Sequence, residues 1–145
     1  MHAKIQWIDK ASFSAQADSG HTLTLDGPPD AGGENRGPRP MELMLMGLGG
    51  CTSFDVVNIL TRSRQQVVDC ETELTATRAQ DVPNVFETIQ IHFKVTGRNL
   101  DAKKVARAVK LSAEKYCSAS IMLERGGVDI SHTHEIIDMP SEAPE

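Results

Sequence analysis

The chain has 145 residues and a formal net charge of −5. That length supplies the core of one domain. The acidic balance, without any basic block, argues against nucleic acid and an anionic membrane surface as partners. Aromatic residues make up 4% of the sequence, too few for a base-stacking platform.

The N-terminus, Met1-His2-Ala3-Lys4-Ile5-Gln6-Trp7, lacks the apolar core of a signal peptide. Apolar alternation then predicts three short strands. Ala3, Ile5 and Trp7 share one face, followed by Phe13, Ala15 and Ala17, then His21, Leu23 and Leu25. They read as an antiparallel meander. Residues 26–40, dense in Gly, Pro, Asp and Asn, form a long loop of the kind that is functional or mobile.

Pro40 suits a first helical position, and a helix is predicted from there to about Arg62. Its first half, Met41 to Cys51, is apolar nearly all round apart from Glu42. Glu42, Thr52, Ser53, Asp55, Asn58 and three glycines fit a buried helix better than a membrane span. Such a helix needs a surrounding sheet or a partner subunit to cover it. Gly47, Gly49 and Gly50 each cost about 1 kcal/mol against Ala in a helix, which points to close approach by another backbone near Cys51.

Two longer strands follow. Val68, Cys70, Thr72, Leu74 and Ala76 form the apolar face of the first, and Ile89, Ile91, Phe93 and Val95 that of the second. The turn Asp81-Val82-Pro83-Asn84 joins them as a hairpin. Asp101 is placed to cap a helix whose buried stripe is Val105, Ala108, Val109, Ser112 and Tyr116. A break at Cys117-Ser118 precedes a short helix, Ala119 to Arg125, ended by Gly126-Gly127. A last strand runs from Val128 to about Ile136. The reading is one α+β domain over residues 1–137, in the order βββ-α-ββ-αα-β, with a disordered tail over 138–145.

Three cysteines, an odd number without CxxC, do not make a secreted disulfide framework or a zinc site. A reducing cytoplasm is the expected compartment. Cys70, on a strand's apolar face, reads as a small buried hydrophobe. Cys51 lies among glycines and hydroxyls. Cys117 sits at a helix break, which favours access and can aim backbone N–H groups at sulfur. A thiolate also needs positive charge. Arg36, Arg39 and Lys115 are the candidates, although a helix from residue 40 to 51 is about 17 Å long, so an Arg at its start reaches Cys51 only if the loop folds back or a second subunit supplies it. Asp55, one turn after Cys51, opposes thiol ionisation. His132 and His134 share one face of the last strand but lack a third ligand at metal-site spacing. They are expected to be structural or interface histidines.

The residues Pro40-Met41-Glu42-Leu43, leading through Gly49-Gly50-Cys51 into a long helix, and Tyr116-Cys117-Ser118-Ala119-Ser120 at a helix break resemble the OsmC/Ohr superfamily of osmotically inducible and organic hydroperoxide resistance proteins. The element order and the cysteine separation share that resemblance, which covers roughly residues 1–137, and the chain is most similar to an OsmC-like subgroup without an assigned substrate. The resemblance implies an intertwined homodimer with the cysteine-bearing helices at its centre. It also implies reduction of organic hydroperoxides. Cys51 would form a sulfenic acid and Cys117 would resolve it as a disulfide. An external dithiol, such as a lipoylated protein, would restore both thiols, and no cofactor or metal would be needed. The family's catalytic Arg and its Glu partner map onto this chain as Arg39, with Arg36 as an alternative, and Glu42. The family's Glu position itself falls on Met41, and Ser118 stands where many members carry Pro. The rival expectation is a non-catalytic OsmC-fold thiol sensor or small-ligand binder.

Overall fold

A computed structural model describes residues 1–140. It is α+β, in the order expected from the sequence. The chain divides into two compact units, residues 1–46 and 47–145, and helix α1 (Pro40–Arg62) begins in the first and ends in the second.

The first unit is an antiparallel meander of β1 (Ala3–Asp9), β2 (Ser12–Ala17) and β3 (Thr22–Asp26). Trp7 pairs with Phe13 and Phe13 with Leu25, so the three predicted apolar sets lie on one face. The following loop is pinned by one side chain. The buried Asp26 carboxylate accepts hydrogen bonds from the backbone N–H groups of Gly27 (2.9 Å), Glu34 (2.9 Å) and Arg36 (3.2 Å). Burial alone would raise the pKa of Asp26. The Arg36 N–H, the Ser12 hydroxyl, the Gly27 N–H and the Arg36 charge outweigh it and hold the group below the usual carboxylate range. Close backbone approach fixes the rest of the loop. A Cβ on Gly37 would lie 2.0 Å from the Thr24 carbonyl oxygen, so only glycine fits there.

In the second unit, β4 (Gln66–Arg78) and β5 (Phe86–Arg98) form the expected antiparallel hairpin, and β6 (Asp129–Asp138) pairs with β5 in parallel. A parallel neighbour needs a long crossover, and helix α2 (Ala102–Leu111) and helix α3 (Ser118–Arg125) supply it. The core follows the sequence pattern. Ile89, Phe93 and Val95 of the central strand are fully buried and Ile91 nearly so, opposite buried Val105, Ala108 and Val109 of α2. Each large aliphatic or aromatic side chain so buried contributes about 1.5–3 kcal/mol. Asp101 caps α2 as expected, accepting from the N–H groups of Lys103 and Lys104.

Four expectations need correction. Val68 is exposed, because a bulge between Val67 and Asp69 shifts the pleat and turns Val67 inward in its place. Tyr116 is 52% exposed and not part of the α2 stripe. The helix passes into a π-helical turn over Ser112–Tyr116, whose wider winding keeps Ser112 buried but rotates Tyr116 outward. The close neighbour of Gly49 is a side chain and not a backbone, since a Cβ there would lie 2.7 Å from Leu74 Cδ1, while Gly47 and Gly50 face open space. Asp138 belongs to β6 and the Met139 N–H donates to the Gly97 carbonyl (2.8 Å), so the start of the expected tail is ordered strand and its margin. Residues 141–145 of that tail lie outside the described residues.

Helix α1 buries one stripe, Leu48, Thr52, Val56 and Leu60, at successive i, i+4 positions. It packs on β4 through the Gly49 notch filled by Leu74 and through a Ser53–Thr72 hydroxyl pair at 2.7 Å. The opposite side remains uncovered in one chain. Phe54 is 70% exposed, with Met46 also exposed, and Ser53, Phe54, Val57, Asn58 and Thr61 line an open groove of about 430 Å³. Among the described residues, α1 is the one helix long and apolar enough to cross a membrane, with a mean hydropathy of 1.5 over its most apolar window. Its buried stripe shows that it serves as a packing helix against its own sheet.

Candidate functional site

The fold brings Cys51 and Cys117, 66 positions apart in sequence, together within the second unit. Cys51 projects from the middle of α1. Cys117 is the residue between the π-helical turn and α3, with extended backbone (φ −74°, ψ 98°), and its sulfur caps α3 by accepting from the Ser120 N–H at 3.4 Å. The two sulfurs and a carboxylate oxygen of Asp55 all lie within 4.8 Å of one another. A disulfide bond of about 2.05 Å therefore requires the sulfurs to close by no more than about 2.8 Å. Both cysteines are free thiols in this state.

The two thiols are tuned in opposite directions. Burial raises Cys51, but the Ala119 N–H, the Cys117 thiol and the Ser118 hydroxyl (3.9 Å from the sulfur) outweigh it and bring the group below the ordinary thiol value. Asp55 works against that shift, as the sequence spacing implied. For Cys117, burial dominates. With the Cys51 hydrogen bond and charge and the Asp55 charge adding to it, against the Ser120 N–H, Cys117 is pushed up to about 12. The expected access at the helix break is corrected accordingly: Cys117 has no exposed surface, and the half-buried sulfur is Cys51. The break does deliver N–H groups, and it aims them at both sulfurs. What lowers Cys51 is a set of hydrogen-bond donors.

Asp55 is held in turn. Its Oδ2 accepts from the Ser112 hydroxyl at 3.1 Å, and Ser112 Oγ lies 2.8 Å from the Thr52 hydroxyl in the helix core. Beside this network, Asp55, Asn58, Ile59, Arg62, Leu111 and Tyr116 line a cavity of about 310 Å³. The exposed Tyr116 ring is thus a wall of that cavity, which the uniform helical spacing of its segment concealed.

Of the predicted cations, Arg36 and Arg39 lie in the first unit and are engaged there, and Lys115 lies in the second. Arg39 pairs with Glu42 through Nη1 and Oε1 at 3.0 Å, one helical turn apart, and the Arg39 N–H also reaches the Glu42 carboxylate. Arg36 pairs with Asp9 and with Glu34. Lys115 lies 5.3 Å over the Tyr116 ring.

Cys70 is half-buried, less enclosed than its position on the strand's apolar face led one to expect. Burial raises the Cys70 thiol, with the Thr72 hydroxyl opposing and Asp69 adding to it, which disfavours the reactive thiolate form. His132 stacks on Phe93 with ring centroids 6.5 Å apart and planes 9° from parallel. Burial depresses its basicity, partly offset by Glu124. His134 is exposed, and among the described residues neither histidine joins a cluster of metal-ligating groups.

An α+β chain whose long helix presents one cysteine to a second at a helix break matches the family model for OsmC-like protein over residues 32–133. The chain belongs to that family. It is 47% identical over 137 residues to protein YhfA of Escherichia coli strain K12, covering 94% of this chain and 98% of YhfA. Among solved structures, a hypothetical protein from Aquifex aeolicus VF5 is 29% identical, with a TM-score of 0.82 over 96% of this chain and 97% of its own. The organic hydroperoxide resistance protein OhrB of Bacillus subtilis shares the fold at 22% identity, with a TM-score of 0.61 over 93% and 98% of the two chains.

Proposed function

We propose that the protein is a two-cysteine thiol peroxidase that reduces organic hydroperoxides in defence against oxidative stress. The observation that carries this reading is the sulfur pair within 4.8 Å, with Cys51 biased toward thiolate and Cys117 toward thiol. The Cys51 thiolate attacks the distal peroxide oxygen. The O–O bond breaks, the alkoxide leaves as alcohol after taking a proton, and sulfur becomes a sulfenic acid. Oxygen transfer removes the Cys51 charge that had been raising Cys117, so the resolving thiol becomes easier to ionise when it is needed. Asp55, in reach of both sulfurs, can take the Cys117 proton and return it to the departing hydroxide. The products of that step are a disulfide and one water. An external dithiol, of which a lipoylated protein is one example, then donates two electrons to restore both thiols.

Arg39 and Glu42 are the pair proposed to assist the thiolate, as the family resemblance implies. We place the protein in the cytoplasm, where a reducing pool keeps such thiols free. The exposed apolar face of α1, with Gly47 and Gly50 open on it, supports a homodimer. Sedimentation should give the mass of two chains, and a monomer at micromolar concentration would remove the dimer from this reading.

Stoichiometric cumene hydroperoxide should consume two thiols per chain and lower the mass by about 2 Da, one pair of hydrogens, with Cys51 joined to Cys117. Repeated turnover with dihydrolipoamide makes the protein an enzyme. A specific feature favours the rival reading: Asp55 opposes ionisation of Cys51. Oxidation without turnover would therefore mark a thiol sensor. An intact Cys51–Cys117 pair after peroxide treatment excludes both.

A further inference from the structure

We propose that reduced Cys51, Cys117 and Asp55 form a binding site for a thiophilic divalent cation, of which zinc is the representative, with one ion per chain. Three donor atoms from two helical elements converge within 4.8 Å. Cys51 and Asp55 stand one turn apart on α1, a bidentate presentation from a rigid element, and Cys117 comes from the cap of α3. A tetrahedral zinc with bonds of about 2.0–2.3 Å sets its donors about 3.5–3.8 Å apart. The observed spread exceeds this by on the order of 1 Å, which side-chain rotation can close.

The donor types suit the ion. Two thiolates and one carboxylate carry three negative charges, and a divalent cation offsets most of them. Three protein ligands with an open fourth position are the pattern of exchangeable zinc sites. The Ser118 hydroxyl, 3.9 Å from the Cys51 sulfur, or a water can fill that position. The carboxylate also has its outer support, since Ser112 donates to Oδ2 at 3.1 Å and orients the group while its other oxygen remains available.

Such a site deepens the peroxidase reading by regulating the same sulfurs. Bound metal occupies the thiolates that would attack peroxide. Conversely, forming the S–S bond takes two electrons from the two thiolates and leaves Asp55 alone, which cannot retain the ion.

The test uses the full chain, reduced and stripped of metal, titrated with zinc chloride against a chromophoric indicator. One zinc per chain is expected. Cys51→Ser, Cys117→Ser and Asp55→Asn should each weaken binding at least tenfold, whereas Cys70→Ser and His134→Ala should not change it. Cobalt substituted for zinc should show sulfur-to-metal charge-transfer absorption, which histidine or carboxylate sites lack. Treating the zinc-loaded wild-type chain with diamide should release the ion in step with disulfide formation. In that reaction the N=N bond takes the two thiolate electrons and two protons from solvent. This arm uses the unaltered protein and needs no variant to fold. Absence of stoichiometric zinc binding, zinc retained by Asp55→Asn and Cys51→Ser, or zinc retained in the disulfide form would each overturn the proposal. Because diamide replaces hydroperoxide throughout, a protein inert to hydroperoxides can still bind and release zinc, and an active peroxidase can fail to bind it.

Discussion

Cys51→Ser is expected to lower hydroperoxide consumption by about 10³-fold or more, the scale on which enzymes lose activity with their nucleophile. The chain should remain folded, because Cys51 is only half-buried and a hydroxyl occupies less volume than the thiol. Neither remaining sulfur can substitute. Cys117 is pushed up to about 12 and has no exposed surface, and Cys70 is raised by burial. Cys117→Ser should behave differently. Its Cys51 still reacts once, gaining about 16 Da as the sulfenic acid, then stalls without a partner thiol. The pH dependence carries a sign that follows from the same geometry. Alkylation of Cys51 should rise with pH through a midpoint below the ordinary thiol value, since the Ala119 N–H, the Cys117 thiol and the Ser118 hydroxyl stabilise the thiolate. Peroxidase activity in Cys51→Ser close to that of the parent chain would assign the chemistry elsewhere.

The parts of this fold that were legible in sequence are those governed by local periodicity. Ile89, Ile91, Phe93 and Val95 alternate because every second residue of a central strand enters the core, and they do enter it. Asp101 and Gly126-Gly127 mark helix ends because their side-chain and backbone chemistry satisfies terminal N–H and C=O groups, and Pro40 marks one because it brings a fixed φ and no N–H to satisfy. Residues 51 and 117 stand out for the same kind of reason, one among glycines and one at a break.

What the sequence concealed depends on deviations from regular spacing and on contacts across long separations. A single bulge exchanges Val68 for Val67, and a single π-helical turn removes Tyr116 from its stripe. Nothing local distinguishes those segments from regular ones. Asp55 illustrates the second limit. From position alone it is only an acid one turn from a thiol, unfavourable to ionisation. Its value as a proton acceptor or metal ligand exists only because a chain segment 62 residues later brings Cys117 beside it. Burial of Cys117 likewise comes from packing around the break, whereas the break by itself suggested exposure.

Ser112→Ala is expected to cost about 1.5–3 kcal/mol of folding stability, the range for losing a buried hydrogen bond to a charged group. The hydroxyl is fully buried and carries one proton. If that proton goes to Asp55 Oδ2, then Thr52 must donate to Ser112 Oγ, and the alternative acceptor for Ser112, the Thr52 carbonyl at 3.5 Å, is the weaker choice. Truncation thus deprives two groups at once: Thr52 loses its acceptor and Asp55 loses its donor. A shift of this size changes the folded-to-unfolded ratio by about 10- to 150-fold, visible as a lower denaturant midpoint at unchanged slope. The variant should also slow disulfide closure after a single oxidation, measured by acid quench and mass analysis. Ser112 begins the π-helical turn that leads directly into Cys117, and its bonds to Thr52 and Asp55 tie that turn to the helix turn carrying Cys51. A stable variant with unchanged closure would mean that core packing alone sets the sulfur pair, and that the hydroxyl network contributes neither rigidity nor proton handling.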